Sequence, residues 1–177
     1  MRPMYRCFTL LPMLLVASLL AGCGMFATTP KTAEHSSVPG YDLVAAIRAA
    51  GDREKSIIDV SPLRDPSVTA LQDAAQHDEQ IGRYADAASK LDQAIKLSPN
   101  SPDLLQERAE VAVRLRDFAT AEKLAHQSWS LGPKLGPLCA RNWQTVVEMR
   151  LQARDVTGAQ TARKWVQQCH KAGIPRY

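Results

Sequence analysis

The sequence predicts an all-α protein built from repeated helical units, and three observations lead to that fold class. Apolar residues recur at helical spacing from Ser67 onward. The motif Gly82-Arg83-Tyr84-x-x-Ala87 returns 34 residues later as Arg116-Asp117-Phe118-x-x-Ala121. A proline follows each copy, Pro99 and Pro133, again 34 residues apart. A fixed period of this length is typical of an α-solenoid, in which each unit packs on its neighbours.

The first 22 residues have the features of an export signal. Arg2 and Arg6 form a basic start, and an apolar run of about 13 residues follows, too short for the roughly 20 that a membrane-spanning helix needs. The run leads into Leu20-Ala21-Gly22-Cys23, which resembles a bacterial lipobox. That resemblance implies cleavage before Cys23 and acylation of its thiol. An ordinary secretory signal followed by a chance cysteine is the alternative interpretation.

Lipidation at Cys23 would anchor the chain stably, because two or more acyl chains hold a protein on a membrane. The lipobox resemblance implies the periplasmic face of the bacterial outer membrane, since Gly24 rather than an aspartate follows the cysteine. The periplasm is oxidising. Cys7 leaves with the signal and Cys23 carries lipid, so Cys139 and Cys169 remain as one possible pair.

Residues 23–66 are predicted to join the anchor to the folded domain. Residues 24–40 are small and polar, which indicates a flexible tether. A short helix is predicted from Tyr41 to Ala50, ending at Gly51. The apolar stretch 57–63 is predicted to be extended, because prolines at 62 and 66 disfavour helix in the residues before them. We expect this stretch to cap the first repeat, or else to occupy the groove of the array.

The region 67–177 resembles the tetratricopeptide repeat, a helix–turn–helix unit of 34 residues. The resemblance implies repeats over 68–101 and 102–135, with helices over 68–81, 84–97, 102–115 and 118–131. Ser67 and Ser101 are predicted N-caps, and Pro102 suits a first helical position. The small residues of the family pattern, where neighbouring helices approach closely, fall at Ala75, Ala87, Ala94, Ala109, Ala121 and Ser128.

A third, degenerate repeat is predicted over 140–173, after four inserted residues. Trp143, Val156 and Ala159 then take repeat positions. In this register Cys139 and Cys169 lie side by side on antiparallel helices, which predicts a disulfide between them. Two free thiols or a redox-active pair are the alternatives, although no Cys-x-x-Cys motif supports the second.

Composition and motifs point away from catalysis and from nucleic acid. Removing the signal leaves a net charge of +2, and aromatic residues are only 6% of the chain, so no nucleic-acid partner is predicted. The four histidines are scattered, without zinc-ligand spacing, and no glycine-rich phosphate loop is present. We therefore predict no catalytic residue, no metal, no cofactor and no small-molecule substrate.

The first helices of such an array line a concave groove that accepts a peptide or helix from a protein partner. The candidate groove residues are Gln72, Gln76, Glu79, Gln106, Glu110, Val113, Gln144 and Val147. The predicted function is a non-catalytic, lipid-anchored adaptor that assists an envelope complex of pilus, secretion or cell-wall machinery.

Two other functions remain open at this point. One is an accessory or regulatory subunit of a periplasmic enzyme, and the other is a structural lipoprotein that binds peptidoglycan. No aromatic cluster for stacking on sugars is visible in the sequence. Trp129, Trp143 and Trp165 stand at helical spacings that favour packing between helices.

Overall fold

The computed structural model describes residues 40–54 and 64–170, and in these two segments every regular element is a helix, with no strand. The helices are α1 (Leu43–Asp52), α2 (Pro66–Gln80), α3 (Tyr84–Leu97), α4 (Pro102–Arg114), α5 (Phe118–Leu131), α6 (Pro137–Gln152) and α7 (Val156–Gln168). The predicted all-α class is confirmed. None of these seven helices has the length and hydropathy that crossing a membrane would require.

Several predictions fall outside the described residues. They concern the export signal, the lipidation of Cys23, the tether up to residue 39, the apolar stretch 57–63 and the end of the third repeat from residue 171. These stay predictions.

Helices α2–α3, α4–α5 and α6–α7 pack as three hairpins, hereafter hairpins 1, 2 and 3. Turns of only three residues join the members of each pair, which makes them antiparallel neighbours. The predicted starts of α3 and α5 agree with the structure, and the predicted bounds of α2 and α4 are within two residues of the observed ones. The described part of the chain is thus a short array of helical hairpins.

The small residues predicted at helix crossings are buried as expected. Ala75, Ala87, Ala94, Ala109, Ala121 and Ser128 are each at most 1% exposed. The hydroxyl of Ser128 on α5 donates to the carbonyl of Pro102 on α4 at 2.6 Å. Because a buried hydroxyl needs a partner, this contact explains how serine replaces alanine at the last of these positions.

The start of α2 differs from the prediction. Ser67 was expected to be its N-cap, but Asp65 is the capping residue, and its carboxylate accepts from the Ser67 backbone N–H at 2.8 Å. Asp65 precedes Pro66, which disfavours helical backbone at Asp65 and itself suits the first helical turn. Ser101 does cap α4, although its hydroxyl contacts that of Ser98 at 2.5 Å instead of a backbone N–H.

Hairpin 3 carries the predicted disulfide. Cys139 and Cys169 are bonded, with Cα atoms 5.6 Å apart, and both are 1% exposed. The backbone N–H of Gly136 donates to the Cys169 carbonyl at 2.8 Å, so the loop before α6 is also tied to the end of α7. Ala159 at the closest crossing of the hairpin is fully buried, as its predicted repeat position requires.

Helix α1 packs on α6 and α4, on the side of the array that α2, α4 and α6 share, which we call the inner face. Val44 and Ile47 are fully buried there, in a core with Ala112, Val113 and Met149. The apolar stripe of α1 is therefore covered by the hairpins and not by solvent.

Gly51 does not end α1, as expected from the sequence, but lies inside it and is buried. A Cβ at this position would stand 2.8 Å from the Arg141 Cγ and 3.1 Å from the Pro137 carbonyl oxygen. Glycine is needed here because the backbone of α1 approaches α6 too closely for any side chain.

Candidate partner-binding site on the inner face

A buried carboxylate on α4 ties α1 to the inner face. The Glu110 side chain is fully buried and accepts from the Arg48 Nε of α1 at 2.7 Å and from the Arg141 Nη2 of α6 at 2.6 Å. The side-chain amide of Gln106 donates to it as well, at 2.9 Å. A buried charge is tolerated when hydrogen bonds and opposite charges surround it. Three helices thus meet at one carboxylate.

Further ion pairs extend this network to hairpin 1. Arg48 donates to Glu79 of α2 at 2.8 Å, and Arg114 of α4 donates to Asp42, the N-cap of α1, at 2.9 Å. Burial acts to raise the pKa of Asp42, but the Ala45 backbone N–H and the Arg114 guanidinium together lower it below its usual value. The charge network therefore connects α1 to all three of α2, α4 and α6.

The structure separates the eight expected groove residues into two sets. Gln106, Glu110, Val113 and Val147 are buried between helices or beneath α1. Gln72, Glu79 and Gln144 are half-buried, and Gln76 is exposed. Because α1 covers the middle of the inner face, a partner can reach only the second set in this arrangement. Contact between those residues and a partner stays a prediction.

An open cleft of about 950 Å³ lies beside α1. Its walls come from α1, α2, α4 and α6 and include Asp42, Arg48, Asp52, Gln76, Glu79, Glu107, Arg114 and Arg141. All three arginines of this lining pair with carboxylates of the same network. The cleft has the volume of a ligand pocket, but its charges already compensate one another. It suits recognition by hydrogen bonds and shape more than capture of a highly charged group.

Glu107 at the edge of this cleft is a functional candidate that the sequence did not reveal. Its carboxylate accepts from the side-chain amides of Gln72 at 2.6 Å and of Gln76 at 3.5 Å. Burial raises the pKa of Glu107, and the amide hydrogen bonds oppose that effect. No sequence signal links these residues, because Glu107 is 35 positions from Gln72 and lies on another helix.

A second feature, on α5, α6 and α7, corrects an expectation. No aromatic cluster was visible in the sequence, but the rings of Trp129, Trp143 and Trp165 are in mutual contact, with centroids 5.2–6.1 Å apart. They are 14 and 22 positions apart in the chain, and only the packing of hairpin 3 on α5 brings them together. Packing between helices, as predicted, explains Trp143, which is 9% exposed, but Trp165 is 39% exposed.

Within residues 40–54 and 64–170, no three His, Cys, Asp or Glu side chains are placed so that they could hold a metal ion. His170, which follows Cys169, lies 2.9 Å from a carboxylate oxygen of Glu54. The two side chains are at hydrogen-bond distance, which gives the histidine a structural contact outside any metal site.

The chain is similar in structure to a solved protein domain, although its sequence matches no family model. No protein-family model matches the chain, and no curated protein matches it. Among solved structures, the chain is similar to the globular C-terminal domain of P. aeruginosa LpoP, with a TM-score of 0.56 and 28% sequence identity. The match covers 59% of this chain and 99% of that domain. The tetratricopeptide assignment itself stays a prediction.

Proposed function

We propose that this chain is a lipid-anchored, non-catalytic adaptor of the bacterial envelope that binds a protein of the cell-wall machinery. The observation that carries the proposal is the open cleft beside α1, about 950 Å³ in volume, at the inner face of a helical array. The similarity to the LpoP domain favours cell-wall machinery over the pilus and secretion systems that the sequence left open.

In this proposal, Cys23 carries the lipid and holds the chain on the periplasmic face of the outer membrane. The 17 residues from Gly24 to Gly40 could span at most about 60 Å if fully extended. Their small, polar composition suits a tether that lets the domain search for its partner. Failure of Cys23 to incorporate labelled palmitate in cells would contradict this part of the proposal.

The partner contacts are assigned to Gln72, Gln76, Glu79 and Gln144, the accessible set of the inner face. Amide side chains both donate and accept hydrogen bonds, so they can read the backbone or the polar face of a partner segment. The buried set has a different task in this scheme. Gln106, Glu110, Val113 and Val147 hold α1 and the hairpins in place, and so shape one wall of the cleft.

Site-specific photo-crosslinking in cells tests this proposal. Benzoylphenylalanine is placed at Gln76, which lines the cleft, and in a matched variant at Ala70, an exposed residue of the same helix that is not part of the lining. We expect a crosslinked adduct at Gln76, identified by mass spectrometry as an enzyme of cell-wall synthesis, and none at Ala70. Equal adducts at both positions, or adducts at Gln76 only with proteins unrelated to the cell wall, would contradict the proposal.

A further inference from the structure

The tryptophan cluster, formed by Trp129, Trp143 and Trp165, presents one open aromatic face. The rings of Trp143 and Trp165 are stacked, with centroids 5.2 Å apart and planes inclined by 12°. Trp143 therefore covers one face of Trp165, and the 39% of Trp165 that is exposed belongs to its outer face and edge. The indole therefore offers a flat aromatic surface that a ligand can reach.

Polar groups lie on and beside the tryptophan cluster. The Lys134 ammonium lies 4.2 Å from the centroid of the Trp129 ring and donates to the Trp129 and Ser130 backbone carbonyls, so its charge is not paired with a carboxylate of the described residues. Thr161 and Gln168 are exposed and lie about one helical turn before and after Trp165 on α7. Beneath Trp165, the buried indole N–H of Trp143 has no hydrogen-bond partner among the described residues. The cluster thus combines a flat apolar surface with hydrogen-bonding groups and a positive charge.

The disulfide holds this surface in place. Cys169 follows Trp165 by one turn, and it is bonded to Cys139, whose sulfur lies 3.0 Å from the Lys134 carbonyl oxygen. The ring and the lysine are therefore attached to the same cross-linked end of hairpin 3. A rigid surface loses little entropy when it binds a ligand, so this arrangement is preorganised for binding.

Charge is divided unevenly between the two halves of the described chain. Residues 118–170 contain seven basic and three acidic residues, a net charge of +4, whereas 40–54 and 64–117 contain nine basic and thirteen acidic residues, a net charge of −4. Two of the three acids in the basic half, Glu122 and Asp155, pair with Arg150. Arg141 of this half pairs with Glu110, but the half that carries the tryptophan cluster still has an excess of positive charge, which favours an anionic ligand.

We propose that the tryptophan cluster binds an anionic saccharide of the kind that cell-wall glycan strands supply. A sugar ring stacks its C–H face on the outer face of Trp165, where the ring quadrupole is negative. A carboxylate of the ligand pairs with Lys134, and Thr161 and Gln168 hydrogen-bond the sugar hydroxyls. A flat, open ring with hydroxyl and amide neighbours fits a sugar better than an acidic peptide, whose apolar anchor needs a pocket. This site is separate from the cleft and goes beyond the proposed adaptor function.

The test uses the full chain, purified in detergent, and muropeptides released from purified cell wall by a muramidase. The chain contains only three tryptophans, all in the cluster, so their fluorescence reports on this surface alone. We expect a saturable change in emission on titration with muropeptides, and co-sedimentation of the protein with intact cell wall. Trp165→Ala should weaken binding at least about fivefold, the equivalent of losing one aromatic contact.

Further variants separate binding from folding. Trp165→Phe keeps a ring and should retain part of the affinity, and Lys134→Ala should weaken binding and reduce its dependence on salt. Leu97→Ala is the matched control, because Leu97 is 60% exposed on hairpin 1. It should bind like the unaltered chain. Circular dichroism confirms that each variant is folded.

Three results would overturn the inference. The first is no response to muropeptides, and the second is equal affinity in the Trp165→Ala and unaltered chains. The third is tighter binding to poly-glutamate, or binding to phosphatidylglycerol vesicles that Trp165→Ala weakens, which would make the surface an acidic-protein or membrane site instead. The adaptor proposal is judged separately, because crosslinking at Gln76 should persist in the Trp165→Ala variant.

Discussion

Hairpins 1 and 3 share one architecture, but different interactions hold their helices together. In hairpin 1, the contact consists of small side chains, Ala75, Ala87 and Ala94, with Leu91 beside them, and each of these is at most 2% exposed. Hairpin 3 also buries alanines, Ala159 and Ala162, but it adds the Cys139–Cys169 disulfide and the stacked pair of Trp143 and Trp165 to them. Hairpin 1 therefore depends on close approach of two backbones alone, whereas hairpin 3 has a covalent bond and large rings in addition.

The turns of the two hairpins also differ, in the contacts that a turn aspartate makes. Buried Asp78 in hairpin 1 accepts from Arg83 at 2.5 Å and also from Lys90 of the facing helix. In hairpin 3, Asp155 at the corresponding turn also pairs with an arginine, Arg150 at 3.1 Å, but its other oxygen caps α7 by accepting from the Gly158 N–H at 2.8 Å. The comparison teaches that a repeat pattern in sequence records only one of the ways in which a helical hairpin can be stabilised. This explains why the third repeat is degenerate.

Removing the disulfide should produce the largest loss of stability, because it removes a covalent bond that hairpin 3 has and hairpin 1 lacks. For Cys139→Ser with Cys169→Ser, we expect a loss of about 3.5 kcal/mol in the free energy of unfolding, from the chain entropy of a loop of 30 residues. Urea denaturation with and without reductant measures it. The reductant should lower the stability of the unaltered chain and leave the double variant unchanged. If the double variant matches the oxidised chain, the disulfide does not stabilise hairpin 3.

Enlarging a small residue should break the close approach in hairpin 1. Ala87→Leu adds three carbon atoms at a fully buried crossing, and we expect a cost of about 2 kcal/mol from overpacking. Ala85→Leu is the matched control, since it makes the same change at an exposed position on the same helix. Thermal denaturation should show a lower midpoint for the first variant alone. Equal midpoints would mean that hairpin 1 does not depend on its alanines.

Replacing Asp78 by a neutral residue should reduce the pH dependence of the free energy of unfolding, because this carboxylate stabilises the turn of hairpin 1. The hydrogen bond from Lys90, assisted by Arg83, lowers the pKa of Asp78 below its usual value of 3.8, although burial acts in the opposite direction. The stabilisation is therefore complete above the unfolded-state pKa and is lost as the pH falls below about 4.

Urea denaturation across this acidic range measures the effect. Asp78→Asn should lose stability less steeply with acid than the unaltered chain does. The matched control is Asp73→Asn, which neutralises an exposed carboxylate on the same helix and should change the profile less. Identical slopes for Asp78→Asn and the unaltered chain would show that the contacts of Asp78 with Arg83 and Lys90 do not stabilise the turn.

The smallest effect is expected at Glu107, which lies between the two hairpins. It accepts from Gln72 and Gln76 of hairpin 1, and Arg141 of hairpin 3 attracts it. Because burial raises its pKa above the usual 4.5, the folded state holds the proton more tightly, and stability falls as the pH rises through the folded-state pKa. Glu107→Gln should flatten this fall in a series of thermal midpoints. A steeper fall in the variant would contradict the sign of the shift.

Much of the array could be predicted from the sequence, because its information is local and periodic. Repeated packing contacts need small residues at a fixed period, and Ala87 and Ala121 display that period directly. The same register placed Cys139 opposite Cys169. Where local signals competed, the prediction was less accurate. At the start of α2, the sequence predicts Ser67 as the N-cap, but Asp65, the residue before Pro66, is the cap.

The sequence by itself determined the helices and the three hairpins and placed the two cysteines side by side, since each follows from spacing along one chain; the structure decided that the cysteines are bonded. Only the tertiary structure decided where α1 lies, which residues of the inner face stay accessible, and that the three tryptophans meet. The apolar stripe of α1 is visible in the sequence, but the contact between Arg48 and Glu110, which are 62 positions apart, is not. Such contacts depend on how the axes of separate helices are arranged in space, and no periodicity along the chain encodes that arrangement.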